Sequence, residues 1–232
     1  MSVDVADWTS LVGQGRESVD TWARLLKRWS EEHRRYHGVG HLSAMLLFIN
    51  EFADHAEDPD VVRLAAWYHD AIYDPGAGDN EDRSAVLAES ELPPLGQSDE
   101  RVAEVVRLVR LTAEHDPAEG DRNGELLNDA DLLVLASPPE AYVAYVNAIR
   151  EEYMHVPDDD FRAGRVAVLD GLLATPRLYR LEALTPLEAA ARRNLTAELI
   201  LLRPGSTEGG EPGAAEADAD QPAEGRPEPP AR

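Results

Sequence analysis

Cysteine is absent from all 232 residues. That excludes a disulfide framework, a thiolate metal site and cysteine nucleophile chemistry. Aromatic residues are few, at 6%, although hydrophobic residues reach 43% and are enough to form a core. Positive charge is also short: 22 Lys and Arg stand against 45 Asp and Glu, for a formal net charge of −23. A nucleic-acid polymer is therefore not an expected partner, because phosphate contacts need clustered cations. A small phosphorylated substrate stays open, since a bound divalent cation reverses the local field inside a pocket. No apolar run approaches the roughly 20 residues that span a bilayer. The opening MSVDVADWTS lacks the basic region and apolar core of a signal peptide. The expectation is a cytoplasmic protein with no membrane partner.

What is present divides the chain in two. Residues 204–232 contain no Val, Ile, Leu or aromatic residue and consist largely of Pro, Gly, Ala and acid. Such a segment cannot bury enough apolar area to offset its ordering entropy, and is expected to be a disordered acidic tail. Residues 1–203 are expected to form one all-α domain, because their apolar periodicity is helical nearly throughout. Trp22, Leu25, Leu26 and Trp29 share a face within 18–35, as do Met45, Phe48, Ile49 and Phe52 within 40–52. Residues 61–72 are apolar almost all round, the mark of a central helix. Further helices are expected around 102–109, from 129 to 136, around 142–153, over 161–173, and from 185 to about 202. The last opens with TPLE, which predicts Thr185 as N-cap and Glu188 as its capping-box partner.

Within the central helix, AAWYHDAIYD (65–74) places His69 and Asp70 among seven apolar or aromatic residues. Adjacent ionisable groups in a buried helix need something to pair them. His37 and His41 stand four apart in YHGVGHL, and His41 shares a face with Met45, Phe48 and Phe52. LLNDADLLVL sets Asp129 and Asp131 among apolar residues at the expected start of another helix. Imidazoles and carboxylates converging from separate helices are what a metal site in a helical bundle requires. A mixed nitrogen and oxygen donor set suits one divalent transition-metal ion (Mn, Fe, Zn, Co or Ni) better than Ca²⁺.

In this order, the segments RRYHGVGHL, AAWYHDAIYD, DNEDRSA, LNDADL, IREEY and FRAGRVAVL make the chain similar to the HD-domain superfamily of metal-dependent phosphohydrolases. More narrowly, it resembles a bacterial subgroup of predicted HD phosphohydrolases, over residues 34 to 198. The resemblance implies an HD-type helical bundle in which His41, His69, Asp70 and Asp131 bind the metal, with Asp129 as the reserve for Asp131. It implies one ion rather than two, because only His115 lies between the HD pair and the last aspartate.

For such a phosphohydrolase, an activated water attacks phosphorus and a carboxylate exchanges the proton. The expected proton-transfer residues are Asp74, one helical turn after Asp70, and Glu81, in the polar stretch GDNEDRSA. Arg35, His37, Arg83 and His115 are the expected substrate-binding groups, with Arg165 a further arginine in the family-like segments. The expected substrate is a small phosphorylated metabolite or nucleotide, and the expected assembly a monomer or homodimer. The rival readings are an HD-fold di-iron oxygenase and a non-catalytic module that binds a metal or nucleotide.

Overall fold

The structure, a computed structural model, describes residues 3–203. The expected tail at 204–232 lies outside the described residues. Among these, every regular element is helical. The ten α-helices are α1 Val5–Val12, α2 Arg16–Trp29, α3 Val39–Glu51, α4 Pro59–Tyr68, α5 Asn80–Glu91, α6 Asp99–Leu111, α7 Arg122–Leu132, α8 Pro139–Glu152, α9 Asp158–Ala174 and α10 Thr185–Leu202. Short 3₁₀ turns include Leu133–Ala136, which continues from α7. No single helix among the described residues is long and apolar enough to cross a membrane.

Helix α4 is the centre of the core. Pro59 occupies its first turn, and the Asp58 carboxylate caps it by accepting from the N–H groups of Asp60 and Val61. Val61, Val62, Leu64, Ala65, Ala66, Trp67 and Tyr68 are all buried, so the helix needs partners on every side. It finds them in α3, α5, α6 and α7. The small residues Ala65 and Ala66 let neighbouring helices approach closely. Two tryptophans fasten the N-terminal helices to this centre. The Trp29 indole N–H donates to the carbonyl of Trp67 at 2.9 Å, and the Trp8 ring meets Trp67 edge-on at 5.4 Å.

Several expected boundaries move, each for a local reason. The helix expected over 18–35 ends at Trp29, and residues 31–38 form turns. Their backbone N–H groups find a partner outside the helix: Glu152 accepts from Arg35, Tyr36 and His37 at 2.7 to 2.9 Å. Helix α4 stops at Tyr68 rather than continuing to Ile72. The buried Arg34 guanidinium takes up carbonyls just beyond it, donating to Asp70 at 2.8 Å and to Ala71 at 3.4 Å, and also donates to the carbonyl of His37 at 2.8 Å. A cation at a helix C-terminus satisfies those carbonyls and suits the helix dipole. Arg34 also lies over the Trp29 and Tyr73 rings, at 5.4 and 5.2 Å.

The DAD segment sits in the last turns of α7, not at the start of a helix, because that helix begins at Arg122. Thr185 is already helical and the N-cap position falls on Leu184. The expected capping box does not form, because the Glu188 carboxylate accepts instead from the N–H groups of Leu178 and Tyr179 and pairs with Arg192.

Asp129 and Asp131 are two apart on α7, so their side chains leave the helix about 200° apart. Asp129 is fully buried and turned to the chain segment before α10, accepting from the N–H groups of Arg180 and Leu181 and from the Asn128 amide. Its role is to hold that segment against α7. Asp129→Ala would leave two buried N–H groups unpaired, and is expected to lower unfolding stability by about 3 kcal/mol, measured by urea denaturation.

Candidate metal centre

The other aspartate of the pair faces the opposite way. One donor atom each from His41, His69 and Asp131 lies within 4.8 Å of the others. His41 comes from the first turn of α3, His69 from the end of α4 and Asp131 from the end of α7. Asp131 Oδ1 is 3.0 Å from His41 Nε2 and 3.8 Å from His69 Nε2. Both imidazoles are buried, and neither Nε2 atom makes a hydrogen bond. Short distances without hydrogen-bond alignment mean that the nitrogens are not aimed at the oxygens beside them. Such unsatisfied buried atoms are costly unless another partner accounts for them. Two nitrogens and an oxygen converging from three helices fit a divalent transition-metal ion.

The surroundings fix the orientation of the candidate ligands. His69 Nδ1 donates to the carbonyl of Ala66 at 2.9 Å, which leaves Nε2 as the nitrogen with the lone pair. The Trp29 ring packs on His69 at 5.4 Å and Tyr36 on His41 at 4.8 Å. Asp70, the fourth expected ligand, stands outside the three-atom group, with Oδ2 3.2 Å from His69 Nε2. Burial alone would lower the pKa of His69, but Asp70 and Asp131 outweigh it and raise the value to about 9. Burial would raise both aspartates, yet His69 and the neighbouring histidines hold them well below the usual carboxylate range. This is a place that favours positive charge, and a divalent cation supplies it as well as a proton does. His41 differs: its pKa is lowered, chiefly by burial.

A cavity of about 320 Å³ opens beside this group. His37, His69, Asp70, Glu81, His115 and Asp131 are in its wall, together with Arg165. Glu81 reaches it from the first turn of α5. His115 follows α6 in the left-handed region, at φ 53°, a conformation uncommon outside glycine. Its Nε2 is 3.7 Å from Asp131 Oδ2, and its buried Nδ1 makes no hydrogen bond.

Three expected site residues are elsewhere. Asp74 is expected near the candidate centre by counting one more helical turn, but α4 ends six residues earlier. It lines a separate cleft with Arg28, His33, Arg83 and His155, and its Oδ1 accepts from the Gly76 N–H. Arg83 belongs to that same cleft and stands 3.6 Å from Asp79. Arg35 is exposed and pairs with Glu151 at 3.2 Å. Neither arginine is in the wall of the metal cavity, whereas Arg165 is.

The residue that sequence reasoning passed over is Glu152. Its side chain is wholly buried. Besides the three backbone N–H groups, it receives the Nδ1–H of His37 at 2.6 Å and the hydroxyl of Tyr73 at 2.8 Å. Burial alone would raise its pKa, but His37 and the backbone donors outweigh it and lower the value to about 2. A signal existed: Glu152 continues the apolar face of Tyr142, Tyr145 and Ile149 on α8, where a carboxylate is out of place without a partner.

Comparison with protein-family models, with curated proteins and with solved structures gives no match in any of the three.

Two outcomes follow from this geometry. Single changes His41→Ala, His69→Ala and Asp131→Ala are expected to abolish binding of Mn²⁺ or Co²⁺, read by metal analysis after dialysis, while circular dichroism shows the helical fold retained. The depressed pKa of Glu152 stabilises the fold fully above its unfolded value near 4.5 and less as pH falls toward 2. Glu152→Gln is expected to remove about 3 kcal/mol at neutral pH. It should also flatten the acid side of the stability profile in urea titrations between pH 5 and 2.

Proposed function

We propose that this chain is a metal-dependent phosphohydrolase of the HD type, acting on a small phosphorylated metabolite or nucleotide. The carrying observation is the buried convergence of His41, His69 and Asp131, with two imidazole nitrogens that make no aligned hydrogen bond although carboxylate oxygens stand 3.0 and 3.2 Å away. The similarity of the ordered His, His-Asp and Asp segments to the HD superfamily supplies the reaction class. The helical bundle is the HD-type domain in this reading.

His41, His69 and Asp131 would hold one ion, with Asp70 at its edge. A divalent ion bound there supplies Lewis acidity toward a phosphoryl oxygen and lowers the pKa of a bound water. The protein's own groups supply the rest. Glu152 fixes the His37 ring through Nδ1, so Nε2 is the nitrogen that exchanges a proton with the substrate or the attacking water. A buried carboxylate behind an imidazole sets its tautomer and orientation and stabilises the imidazolium. Glu81, in the same wall, is the second proton-transfer candidate. Arg165 is the cavity's arginine and takes the anion-binding part expected of Arg35 and Arg83.

Metal-loaded protein is expected to hydrolyse one or more members of a panel of nucleoside monophosphates, cyclic nucleotides and simple phosphomonoesters. His37→Ala should keep its metal and lose about 100-fold in kcat. Full metal occupancy with no turnover across the panel would overturn the phosphohydrolase reading and favour a binding module.

A further inference from the structure

A second cavity, of about 400 Å³, adjoins the metal cavity. His37, Tyr145, Tyr153, Arg165 and Val168 belong to the walls of both. Its remaining wall is different in kind. Ile149 and Val156 come from α8 and the turn after it, and Phe161 and Gly164 from the face of α9 that also carries Val168. The rings of Tyr153 and Phe161 lie 5.9 Å apart. No amide side chain is present, and Asp160 is the only carboxylate in this wall. Little here would read the hydroxyls of a sugar, whereas a flat apolar group meets aromatic and branched aliphatic surface.

Arg165 stands at the junction. Glu198 holds its guanidinium through two bonds, Nε to Oε1 at 2.7 Å and Nη2 to Oε2 at 3.0 Å, and Tyr145 lies 3.3 Å from Nη2. Nη1 takes no part in these bonds. Glu198 is itself buried and receives the Tyr142 hydroxyl at 2.6 Å. A cation held this firmly keeps one orientation, with an acidic metal-binding cavity on one side and an apolar pocket on the other.

We propose that the substrate is an aryl-bearing anion, its charged end between the metal centre and Arg165 and its ring in the pocket of Ile149, Tyr153, Val156, Phe161 and Val168. The charged end being a phosphate rests on the phosphohydrolase reading; the ring pocket does not. Gly164 gives a clean way to close the pocket. It lies in the wall, and a Cβ placed there meets nothing within 4 Å. The first carbon of a larger side chain is therefore accommodated, the rest of a leucine extends from the pocket wall, and replacing a helix-interior glycine favours the helix.

The test is calorimetric binding to the metal-loaded full chain, which needs no turnover. Phenylphosphonate is compared with methylphosphonate, and benzoate with acetate. The expected result is at least about tenfold tighter binding of the aryl member of each pair that binds, from burial of the ring. Gly164→Leu should erase that preference and leave metal content and methylphosphonate affinity as in the original chain. Equal affinities within every pair, or an aryl preference that survives Gly164→Leu, overturns the pocket. Binding of benzoate over acetate with neither phosphonate bound upholds the pocket and overturns the phosphate reading. Binding of none of the four overturns both.

Discussion

The molecule is organised around a burial problem. Two carboxylates and two imidazoles, those of Asp70, Asp131, His69 and His41, are brought together at helix ends in the interior. Each group alone would cost several kcal/mol to desolvate. Together they offset one another in part, and what remains is one donor atom each from His41, His69 and Asp131 within 4.8 Å of the others. Ending α4 at Tyr68 is part of the same solution, because a continuing helix would carry Asp70 and its carbonyl away from Arg34. Arg34, within the 31–38 turns, and Glu152, on α8, are buried charges of opposite sign: the first donates to the carbonyls of His37 and Asp70, and the second accepts from the N–H groups of Arg35, Tyr36 and His37.

This arrangement separates residues that hold the fold from residues that face the cavity, even where they are neighbours in sequence. Asp129 and Asp131 differ by two positions and by nearly everything else. One accepts backbone N–H groups from the segment before α10, while the other faces two imidazoles. The same division runs through Tyr73 and His37, which share a carboxylate oxygen of Glu152: the tyrosine closes the wall, and the histidine is left with one ring nitrogen to offer.

Much of the fold is legible because helical periodicity is a repeated signal; His41, His69, Asp129 and Asp131 stand out as polar residues in strongly apolar settings, but the preference for Asp131 over Asp129 comes from the resemblance and not from the residues alone. Distances along the chain misled where the helix stopped. Asp74 belongs to the site only if α4 extends through Asp70, and nothing local in AAWYHDAIYD announces that Arg34, 36 residues before Asp70, takes up carbonyls beyond the helix end. Thr185 and Glu188 have the spacing of a capping box, but Glu188 found stronger competition from two N–H groups ten and nine residues before it. Arg34, Arg165 and Glu152 could not be chosen from a chain with 22 basic and 45 acidic residues by type alone. What marks them is burial, and burial of single charges is a tertiary property.

Glu152 carries one more consequence. The three converging donors all precede residue 132, yet the turn that leads into His41 is fastened by a carboxylate 111 positions beyond that histidine, and α7 is tied by Asp129 to residues 180 and 181. The centre is therefore not a property of the segment that contains its ligands. Its geometry depends on contacts from the second half of the chain, so a fragment ending before α8 would contain all three donors and lack the carboxylate that fastens the turn leading into His41.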